Sequence, residues 1–396
     1  MRITTIPLSL DKLLTGQLYF MKANGFDVIA VSSYGKEIES IKHREKCNVY
    51  VVEMSRTITP FKDLVSLWKM IRLLKTEKPQ IVHTHTPKAG LIGMLAAWFC
   101  RVPVKLHTVA GLPLMETKGI KRQVLILIEK LTYACADFVY PNSFELKKYI
   151  QQNNFVPGKK LKIIANGTSN GIDIDHFKKN ATIRDHAMLI RNELNISSAD
   201  LVFIFIGRIV KDKGINELVQ AFHQLNKKYT HAKLLLVGDF EDELDPLSEN
   251  TKEIIKSNHA IICPGFINDI RPHLVASDVL VFPSYREGFP NVPLQAGCME
   301  LPMIVTNING CNEIVQNEVN GLIIPPKNTA LLYAVMERML TDEAFRKKCA
   351  FAARQTIVDN FSRETVWKAL LEEYKNQLHQ KEINCTHVPE FSKTII

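Results

Sequence analysis

The chain has no hydrophobic run long enough to cross a membrane. Its longest apolar stretch covers the twelve residues 89–100 and is bounded by Lys88 and Arg101. A transmembrane helix needs about 20 apolar residues, so we expect this stretch to form a core helix. Asp11 precedes every long apolar segment, and the sequence therefore predicts no secretory signal.

The cysteines do not have the spacing of a metal site. They form no Cys-x-x-Cys pair and no other pattern typical of zinc ligands. The eight cysteines stand at positions 47, 100, 135, 263, 298, 311, 349 and 385. We expect reduced thiols, no bound metal and a cytoplasmic location.

Excess positive charge is missing from the second half of the chain. Residues 1–185 hold 28 Lys and Arg against 15 Asp and Glu, a net charge of +13, whereas residues 186–396 hold 22 against 26, a net charge of −4. A basic half can serve nucleic acid, an anionic membrane or a phosphate-bearing substrate. The basic residues are dispersed, with no helix-turn-helix, zinc finger or RNP-type strand, so no nucleic-acid partner is expected.

Short apolar runs alternate with helix-length segments along the whole chain, which predicts parallel strands covered by helices on both faces. The runs are 3–7, 27–32, 48–53, 80–86, 102–109, 138–141, 161–165, 201–207, 233–238, 260–264, 279–283, 303–306 and 322–325. The predicted fold class is therefore α/β, with two tandem Rossmann-like domains at 1–180 and 187–360. A helix is expected over 361–380, followed by a mobile tail at 382–396.

Neither predicted domain contains the Gly-x-Gly-x-x-Gly turn of nicotinamide-binding proteins, which disfavours an oxidoreductase. Another turn stands out instead. The apolar run 279–283 leads into Arg286-Glu-Gly-Phe-Pro-Asn291 and then into a predicted helix. Free amides in a helix's first turn can hold a diphosphate, while a carboxylate beside them suits sugar hydroxyls. Glu287 therefore points to a nucleotide sugar.

A second strand-to-helix turn, Gly207-Arg-Ile-Val-Lys-Asp-Lys-Gly214, carries two cations, Arg208 and Lys213. Such charges can stabilise a diphosphate leaving group. A solvated basic turn is the alternative interpretation, and the presence of Glu287 further along the chain favours the functional one.

These two motifs resemble those of the family 4 retaining glycosyltransferases, whose signature places two acidic residues eight positions apart in a Glu-Gly-Phe context. Glu287 takes the first position, and Gln295 stands where the family usually has a ribose-binding Glu. The resemblance implies the GT-B fold, in which two Rossmann-like domains face a cleft and the last helix crosses back to the first domain. It also implies that the donor nucleotide sugar is a substrate and that neither a metal nor another cofactor is required.

The resemblance further implies roles for particular residues. Arg208, Lys213 and Glu287 are the expected catalytic residues: the two cations hold the diphosphate, and the carboxylate orients sugar hydroxyls. The predicted donor-binding residues are Gly207, Ile267, Gly288, Phe289, Pro290, Asn291, Gln295 and Gly16. Ile267 is the candidate for main-chain contact with the nucleobase. Gly16 is a lone glycine where the family has a glycine-rich turn after the first strand, so an ordinary turn remains an alternative.

Three polar residues of the first half are acceptor-side candidates, namely His85, His107 and Lys88. His83 and His85 alternate on one face of a predicted strand, and His107 ends another. Open α/β sheets bind ligands at the carboxyl ends of their strands, although structural histidines are an equal alternative. A zinc site is disfavoured, because no acidic or thiol ligand stands at a typical spacing.

Three further positions bear on the resemblance. Ala110 stands where many members have a histidine facing the transferred sugar. Glu313 is expected to support its loop, and Asp173-Ile-Asp175 is expected to be a structural turn rather than a metal site.

The segment Thr84-His-Thr-Pro-Lys-Ala-Gly90 and the Pro-Asn after Phe289 resemble enzymes of bacterial surface polysaccharides. The implied reaction moves a hexose or N-acetylhexosamine, usually UDP-linked, to a lipid-diphosphate-linked glycan. The basic apolar segment 118–130 could dock on the cytoplasmic face of the inner membrane or pack in the core. A nucleotide-sugar epimerase or hydrolase of the same fold and a non-catalytic assembly protein remain alternatives.

Overall fold

A computed structural model of the protein describes residues 1–383 except 56, 58, 116 and 244. It divides the described chain into two compact units: residues 1–171 with residues 363–383, and residues 172–362. Each unit contains one six-stranded parallel sheet with helices on both faces. The predicted α/β class with two Rossmann-like domains is therefore confirmed. Residues 384–396 of the predicted tail lie outside the described residues.

The first unit is built around strands β1 to β6. The strands are β1 (Arg2–Ile3), β2 (Ile29–Ser32), β3 (Asn48–Val51), β4 (Ile81–His85), β5 (Val104–Val109) and β6 (Phe138–Pro141). The helices are α1 (Pro7–Leu13), α2 (Gln17–Ala23), α3 (Ile38–Glu45), α4 (Pro60–Glu77), α5 (Pro87–Phe99), α6 (Gly119–Cys135), α7 (Phe144–Gln152) and, at the end of the chain, α16 (Arg363–Gln380).

The strand order is β3-β2-β1-β4-β5-β6, so the direction of the chain through the sheet reverses between β1 and β4. Residues of α4, α5 and α6 share one hydrophobic core with the sheet. A second core contains residues of α1, α2, α3 and α16. Helices α4, α5 and α6 thus cover one face of the sheet, with α5 in contact with both neighbours.

The second unit repeats this arrangement. Its strands are β7 (Leu201–Ile206), β8 (Ala232–Val237), β9 (Ile261–Gly265), β10 (Val279–Phe282), β11 (Met303–Thr306) and β12 (Gly321–Ile324). Its helices are α8 (Ala181–Glu193), α9 (Ile215–Lys228), α10 (Glu249–Ser257), α11 (Arg271–Val275), α12 (Asn291–Cys298), α13 (Cys311–Ile314), α14 (Thr329–Thr341) and α15 (Glu343–Phe361). The order β12-β11-β10-β7-β8-β9 places the reversal between β7 and β10.

Two sequence expectations about strands are wrong. The segment 161–165 contributes a single bridge, between Leu161 and Val139, because the chain turns at Ala165, where φ is 49°. The strand expected over 3–7 ends at Ile3, and Pro7 begins α1, where its fixed φ and missing N–H are tolerated. Gly16 consequently follows a helix rather than the first strand.

Candidate functional site

Two loops of the second unit meet where the strand order reverses. The loop after β7 carries Arg208 and Lys213, and the loop after the adjacent β10 carries Glu287. Both loops leave the carboxyl ends of their strands. In open α/β sheets this reversal point is the place where ligands bind.

The structure joins two of the three predicted catalytic residues. Lys213 Nζ lies 2.6 Å from Glu287 Oε1, and both side chains are largely buried, with exposed fractions of 16% and 15%. Ser284 Oγ also lies 2.9 Å from the same oxygen. Within the described residues, all hydrogen bonds of this carboxylate involve Oε1, so Oε2 can accept further donors.

Close backbone packing fixes this pair. Gly214, at φ 72°, precedes α9, and a Cβ there would lie 2.1 Å from the carbonyl oxygen of Pro283. A Cβ on Gly310 would likewise lie 2.7 Å from the carbonyl oxygen of Gly288. Asn309 donates its side-chain amide to the carbonyl of Glu287 at 3.1 Å. The loops after β7, β10 and β11 therefore hold one another in place.

Arg208 has a different partner. Its guanidinium donates to Glu241 Oε2 at 2.8 Å, and the exposed fractions of the two side chains are 47% and 32%. The hydrogen bond to Glu241 raises the pKa of Arg208. Sequence reasoning missed Glu241, although the run Asp239-Phe-Glu-Asp-Glu243 directly after β8 is a signal for such a partner.

The predicted donor-binding turn also lies at this edge of the sheet. Helix α12 begins at Asn291, and its N-cap Pro290 provides no side-chain cap. The first turn of α12 places the amides of Asn291 and Val292 at this edge, and amides at a helix N-terminus are groups that bind anions. Phe289 packs on Phe361 with 5.5 Å between ring centroids. Gln295 is half-buried in α12.

The remaining donor-side candidates of the second unit are spread along the same edge. Gly207 follows β7 directly, at φ 150°. Gly238, after β8, lies so close that a Cβ on it would meet the carbonyl oxygen of Gly207 at 1.9 Å. Ile267 lies between β9 and α11, and its side chain packs on the core of the unit.

Gly16, the donor-side candidate of the first unit, packs on an aromatic ring. It precedes α2 at φ 78°, and a Cβ there would lie 2.8 Å from the ring of Trp367. Its amide donates to Glu45 at 2.8 Å. These contacts give the glycine a packing role within the unit.

The histidine candidates of the first unit are buried and neutral. His107 contacts α5, where a Cβ on Gly90 would lie 2.5 Å from its ring, and its Nδ1 lies 2.8 Å from Thr84 Oγ1. Burial lowers the pKa of His107 to about 3. Burial, followed by the positive charge of Arg2, lowers the pKa of His85 well below its usual value.

His85 has an unusual environment. Its ring stacks on His83 at 4.3 Å, and neither of its nitrogens has a hydrogen-bond partner among the described residues. It lines a cavity of about 20 Å³ together with Arg2 and Asn142, enough space for about one water molecule. His83 instead bonds Tyr374 and Thr108, at 2.6 and 2.7 Å.

The loop after β4 contains a backbone outlier. Thr86 has φ 80°, an unusual conformation for a β-branched residue, and its hydroxyl lies 2.8 Å from that of Thr5. Lys88 follows in α5, but its ammonium is paired with Asp63. The structure therefore does not bring Lys88, His85 and His107 into one exposed cluster.

Three further positions named in the sequence analysis, Ala110, Asp173 and Glu313, lie in loops or in a short helix. Ala110 follows β5, where its carbonyl accepts from the Asn142 amide at 3.3 Å. Asp173 accepts from the backbone N–H of His176 at 2.9 Å, as in a structural turn. Glu313 lies in the short helix α13. Among the described residues no group of three or more His, Cys, Asp or Glu side chains could hold a metal ion.

No helix in the described part of the chain is long and apolar enough to span a membrane. The family model "Glycosyl transferases group 1" matches residues 188–356, and the model "Glycosyl transferase 4-like domain" matches residues 20–167. These two ranges fall within the second and first units respectively.

Two curated relatives are similar over most of the chain. One is the capsular polysaccharide biosynthesis glycosyltransferase CapM of Staphylococcus aureus, 35% identical over 93% of this chain and 95% of the relative. The other is the UDP-Gal:alpha-D-GlcNAc-diphosphoundecaprenol alpha-1,3-galactosyltransferase of Escherichia coli, 30% identical over 79% of each chain. The crystal structure of Anabaena HepE in complex with UDP has the same fold, with a TM-score of 0.79, 17% identity and coverage of 95% of this chain and 99% of that one.

Proposed function

The chain belongs to the group 1 glycosyltransferases, and we propose that it is a retaining enzyme that transfers a hexose or N-acetylhexosamine from a UDP-sugar to a lipid-diphosphate-linked glycan. The observation that carries the proposal is the largely buried Lys213–Glu287 pair at the strand reversal of the second sheet. A cation and a carboxylate side by side fit two neighbouring parts of a nucleotide sugar, its diphosphate and the hydroxyl groups of its sugar.

In the proposed reaction the bond from sugar C1 to the diphosphate oxygen breaks, and its electron pair stays on the UDP. Arg208 and Lys213 donate to the diphosphate as its charge grows, together with the amides that begin α12. Glu287 accepts hydrogen bonds from sugar hydroxyls through Oε2. An acceptor hydroxyl attacks C1 from the face that UDP leaves, and its proton passes to the departing phosphate oxygen, so the anomeric configuration is retained.

Donor and acceptor classes are inferred from the relatives. The Escherichia coli relative is named for UDP-Gal and a diphosphoundecaprenol-linked GlcNAc, and the Staphylococcus aureus relative for capsular polysaccharide. We infer a related acceptor and a role in bacterial surface polysaccharide synthesis at the cytoplasmic face of the inner membrane. The sequence leaves membrane docking and core packing open for the segment 118–130, and helix α6 exposes Ile120 and Leu127 of that segment.

We further propose that UDP-sugar binding needs no metal ion. Two cationic side chains and the first-turn amides of α12 supply positive potential to the diphosphate without one. Transfer that is equal in EDTA and in magnesium would support this proposal, whereas transfer that requires added magnesium would refute it.

The test is product analysis with UDP-galactose, UDP-glucose and UDP-N-acetylgalactosamine, each offered with GlcNAc-diphosphoundecaprenol in detergent. Labelled sugar in the lipid fraction, in the donor's anomeric configuration, supports a retaining transferase. Free sugar identifies a hydrolase, an isomerised donor identifies an epimerase, and either result as the only product refutes the proposal.

A variant pair then links the reaction to the site. Lys213→Ala should lower kcat about 100- to 1,000-fold, the range expected for one lost transition-state donor. The matched control is Lys211→Ala in the same turn, because the Lys211 side chain is exposed. Equal rates in the two variants would remove Lys213 from the proposed mechanism.

A further inference from the structure

Helix α4 presents large apolar side chains to solvent. The exposed fractions of Phe61, Leu64, Val65 and Trp68 are 89%, 66%, 54% and 59%. The opposite side of the helix supplies Met70 and Leu74 to the core. The apolar residues on its outer side are therefore not needed to attach α4 to the sheet.

The same outer side is basic. Lys62, Lys69, Arg72 and Lys75 are all exposed, and the Arg72 guanidinium lies 5.5 Å from the centroid of the Trp68 ring. The two acidic residues of α4 have partners within the unit. Asp63 pairs with Lys88, and Glu77 accepts from the Tyr50 hydroxyl at 2.9 Å.

The C-terminal end of α5 extends this surface. Trp98 and Phe99 are 62% and 59% exposed, and Lys75 of the neighbouring α4 lies 5.6 Å from the centroid of the Phe99 ring. We call this surface the α4–α5 face. It comprises Phe61, Lys62, Leu64, Val65, Trp68, Lys69, Arg72, Lys75, Trp98 and Phe99.

A groove runs into the face near the start of α4. It has a volume of about 550 Å³, and its lining combines apolar Met54, Phe61 and Val65 with two cations, Lys62 and Lys69, and one carboxylate, Glu53. An apolar floor with cations beside it fits an amphiphile that has an anionic head and a hydrocarbon chain.

The composition of the α4–α5 face decides between two kinds of partner. The core of a protein–protein interface is depleted in lysine, whereas three lysines, Lys62, Lys69 and Lys75, stand among the aromatic rings here. Tryptophan is enriched at the boundary between lipid and water, and basic residues there bind anionic headgroups. We propose that the α4–α5 face docks on the surface of an anionic phospholipid bilayer.

The docked protein would lie on the bilayer with α4 in the headgroup layer, Phe61 and Trp68 pointing toward the acyl chains, and the lysines on lipid phosphates. This surface differs from α6, for which the sequence leaves membrane docking and core packing open. The biological meaning of the docking rests on the proposed function, since the lipid-linked acceptor lies in that membrane. Bilayer binding itself can be measured without any transfer.

The first experiment is co-sedimentation of the full chain with vesicles of pure phosphatidylcholine or of phosphatidylcholine with about 30% phosphatidylglycerol. The wild type should bind the anionic vesicles and lose binding at high salt. Phe61→Ser with Trp68→Ser should weaken binding on the order of ten-fold or more. The matched control is Phe351→Ser in the second unit, because Phe351 is also 89% exposed.

Charge reversal gives the second arm. Lys69→Glu with Arg72→Glu should weaken binding on the order of ten-fold or more, whereas Lys227→Glu with Lys256→Glu, on exposed sites of the second unit, should weaken it far less. Unchanged thermal unfolding of each variant shows that the fold is intact. Vesicle binding that persists without transfer would refute the proposed function and leave the docking standing.

Three results would overturn the docking proposal. The wild type could fail to bind anionic vesicles. Binding could survive the α4 changes and be lost in Leu127→Ser of α6. Finally, sedimentation velocity could show a dimer that Trp68→Ser dissociates, which would assign the α4–α5 face to a second copy of the chain.

Discussion

The two units have the same sheet topology but place their charges differently. In the second unit, Lys213 and Glu287 form an ion pair at the strand reversal, close to the carboxyl edge of the sheet. In the first unit, strand β4 beside the reversal carries two buried histidines, His83 and His85, whose pKa values are lowered by burial. The comparison shows that an identical order of strands does not determine which kind of chemistry a sheet edge can support.

Most of the first unit's positive charge lies away from the strand reversal of its sheet. Residues 1–171 hold 25 Lys and Arg against 12 Asp and Glu, a net charge of +13, and exposed cations stand on the outer sides of α4 and α6, which cover one face of the sheet. The first unit thus offers a basic outer surface, whereas the second offers a compact charged site. This division fits the proposed functions of the units, binding of a lipid-linked acceptor by the first and of a nucleotide donor by the second.

The largest expected effect is that of Glu287→Gln. Transfer should fall about 100- to 1,000-fold, because the amide replaces an acceptor oxygen by donors and loses its charge. UDP affinity should change less than about three-fold, since the contact proposed for this carboxylate is with the sugar rather than the nucleotide. Paired measurements of kcat and of the UDP dissociation constant test this split, and an equal loss in both would assign Glu287 to nucleotide binding.

Mild acid should weaken the first unit. Below pH 6.5 the unfolded chain takes up protons at His83, His85 and His107, while the same imidazoles stay neutral in the folded protein. The free energy of unfolding therefore decreases as the pH is lowered. Burial raises the pKa of Glu129 to about 7, so this carboxyl group takes up one proton in the folded state and opposes the trend. The expected loss is on the order of 2 kcal/mol between pH 6.5 and 5.5.

Tryptophan fluorescence makes this acid effect measurable. The three tryptophans, Trp68, Trp98 and Trp367, all lie in the first unit, so their emission reports its unfolding. The urea midpoint should move down between pH 6.5 and 5.5. A midpoint that stays constant would mean that the histidines titrate normally in the folded protein.

Gly90→Ala should destabilise the first unit by about 1–3 kcal/mol, because the new methyl group would overlap the buried His107 ring. Gly111→Ala is the control, since a Cβ there would meet no atom within 4 Å. Urea unfolding of the two variants gives the difference. If the two variants unfold at the same urea concentration, the contact between Gly90 of α5 and His107 of β5 is looser than the structure shows.

The smallest expected effect is that of Glu241→Gln. This change removes the charged partner of Arg208, which is half-exposed, and such pairs contribute little. UDP affinity should rise, and by less than about three-fold, because Arg208 becomes free to meet the diphosphate. A titration that shows weaker UDP binding would give Glu241 a direct place in the donor site.

Strand positions were largely predictable from sequence, because short apolar runs between helix-length segments are typical of buried parallel strands. The predicted run 303–306 coincides with β11, for example. The run 161–165 shows where this logic fails: Leu161 is buried and bridges Val139, but no strand follows, because the chain turns at Ala165, where φ is positive.

The contacts of the candidate site were less predictable. The strand-to-helix turns of Lys213 and Glu287 could be found from local pattern, but their 2.6 Å contact depends on the adjacency of β7 and β10. His85 marks the other limit. Period-two spacing places it on one face of β4, and only the packing of α16 against that face shows that the ring is buried.

The most direct test of the account is calorimetric titration of UDP and GDP into the full chain in EDTA, with Arg208→Ala and Lys211→Ala in parallel. The account predicts that UDP binds, that Arg208→Ala loses at least about ten-fold in affinity, and that Lys211→Ala retains it. Failure of both nucleotides to bind with or without magnesium, or equal UDP binding by Arg208→Ala and the wild type, would contradict the assignment of the donor site to the second unit.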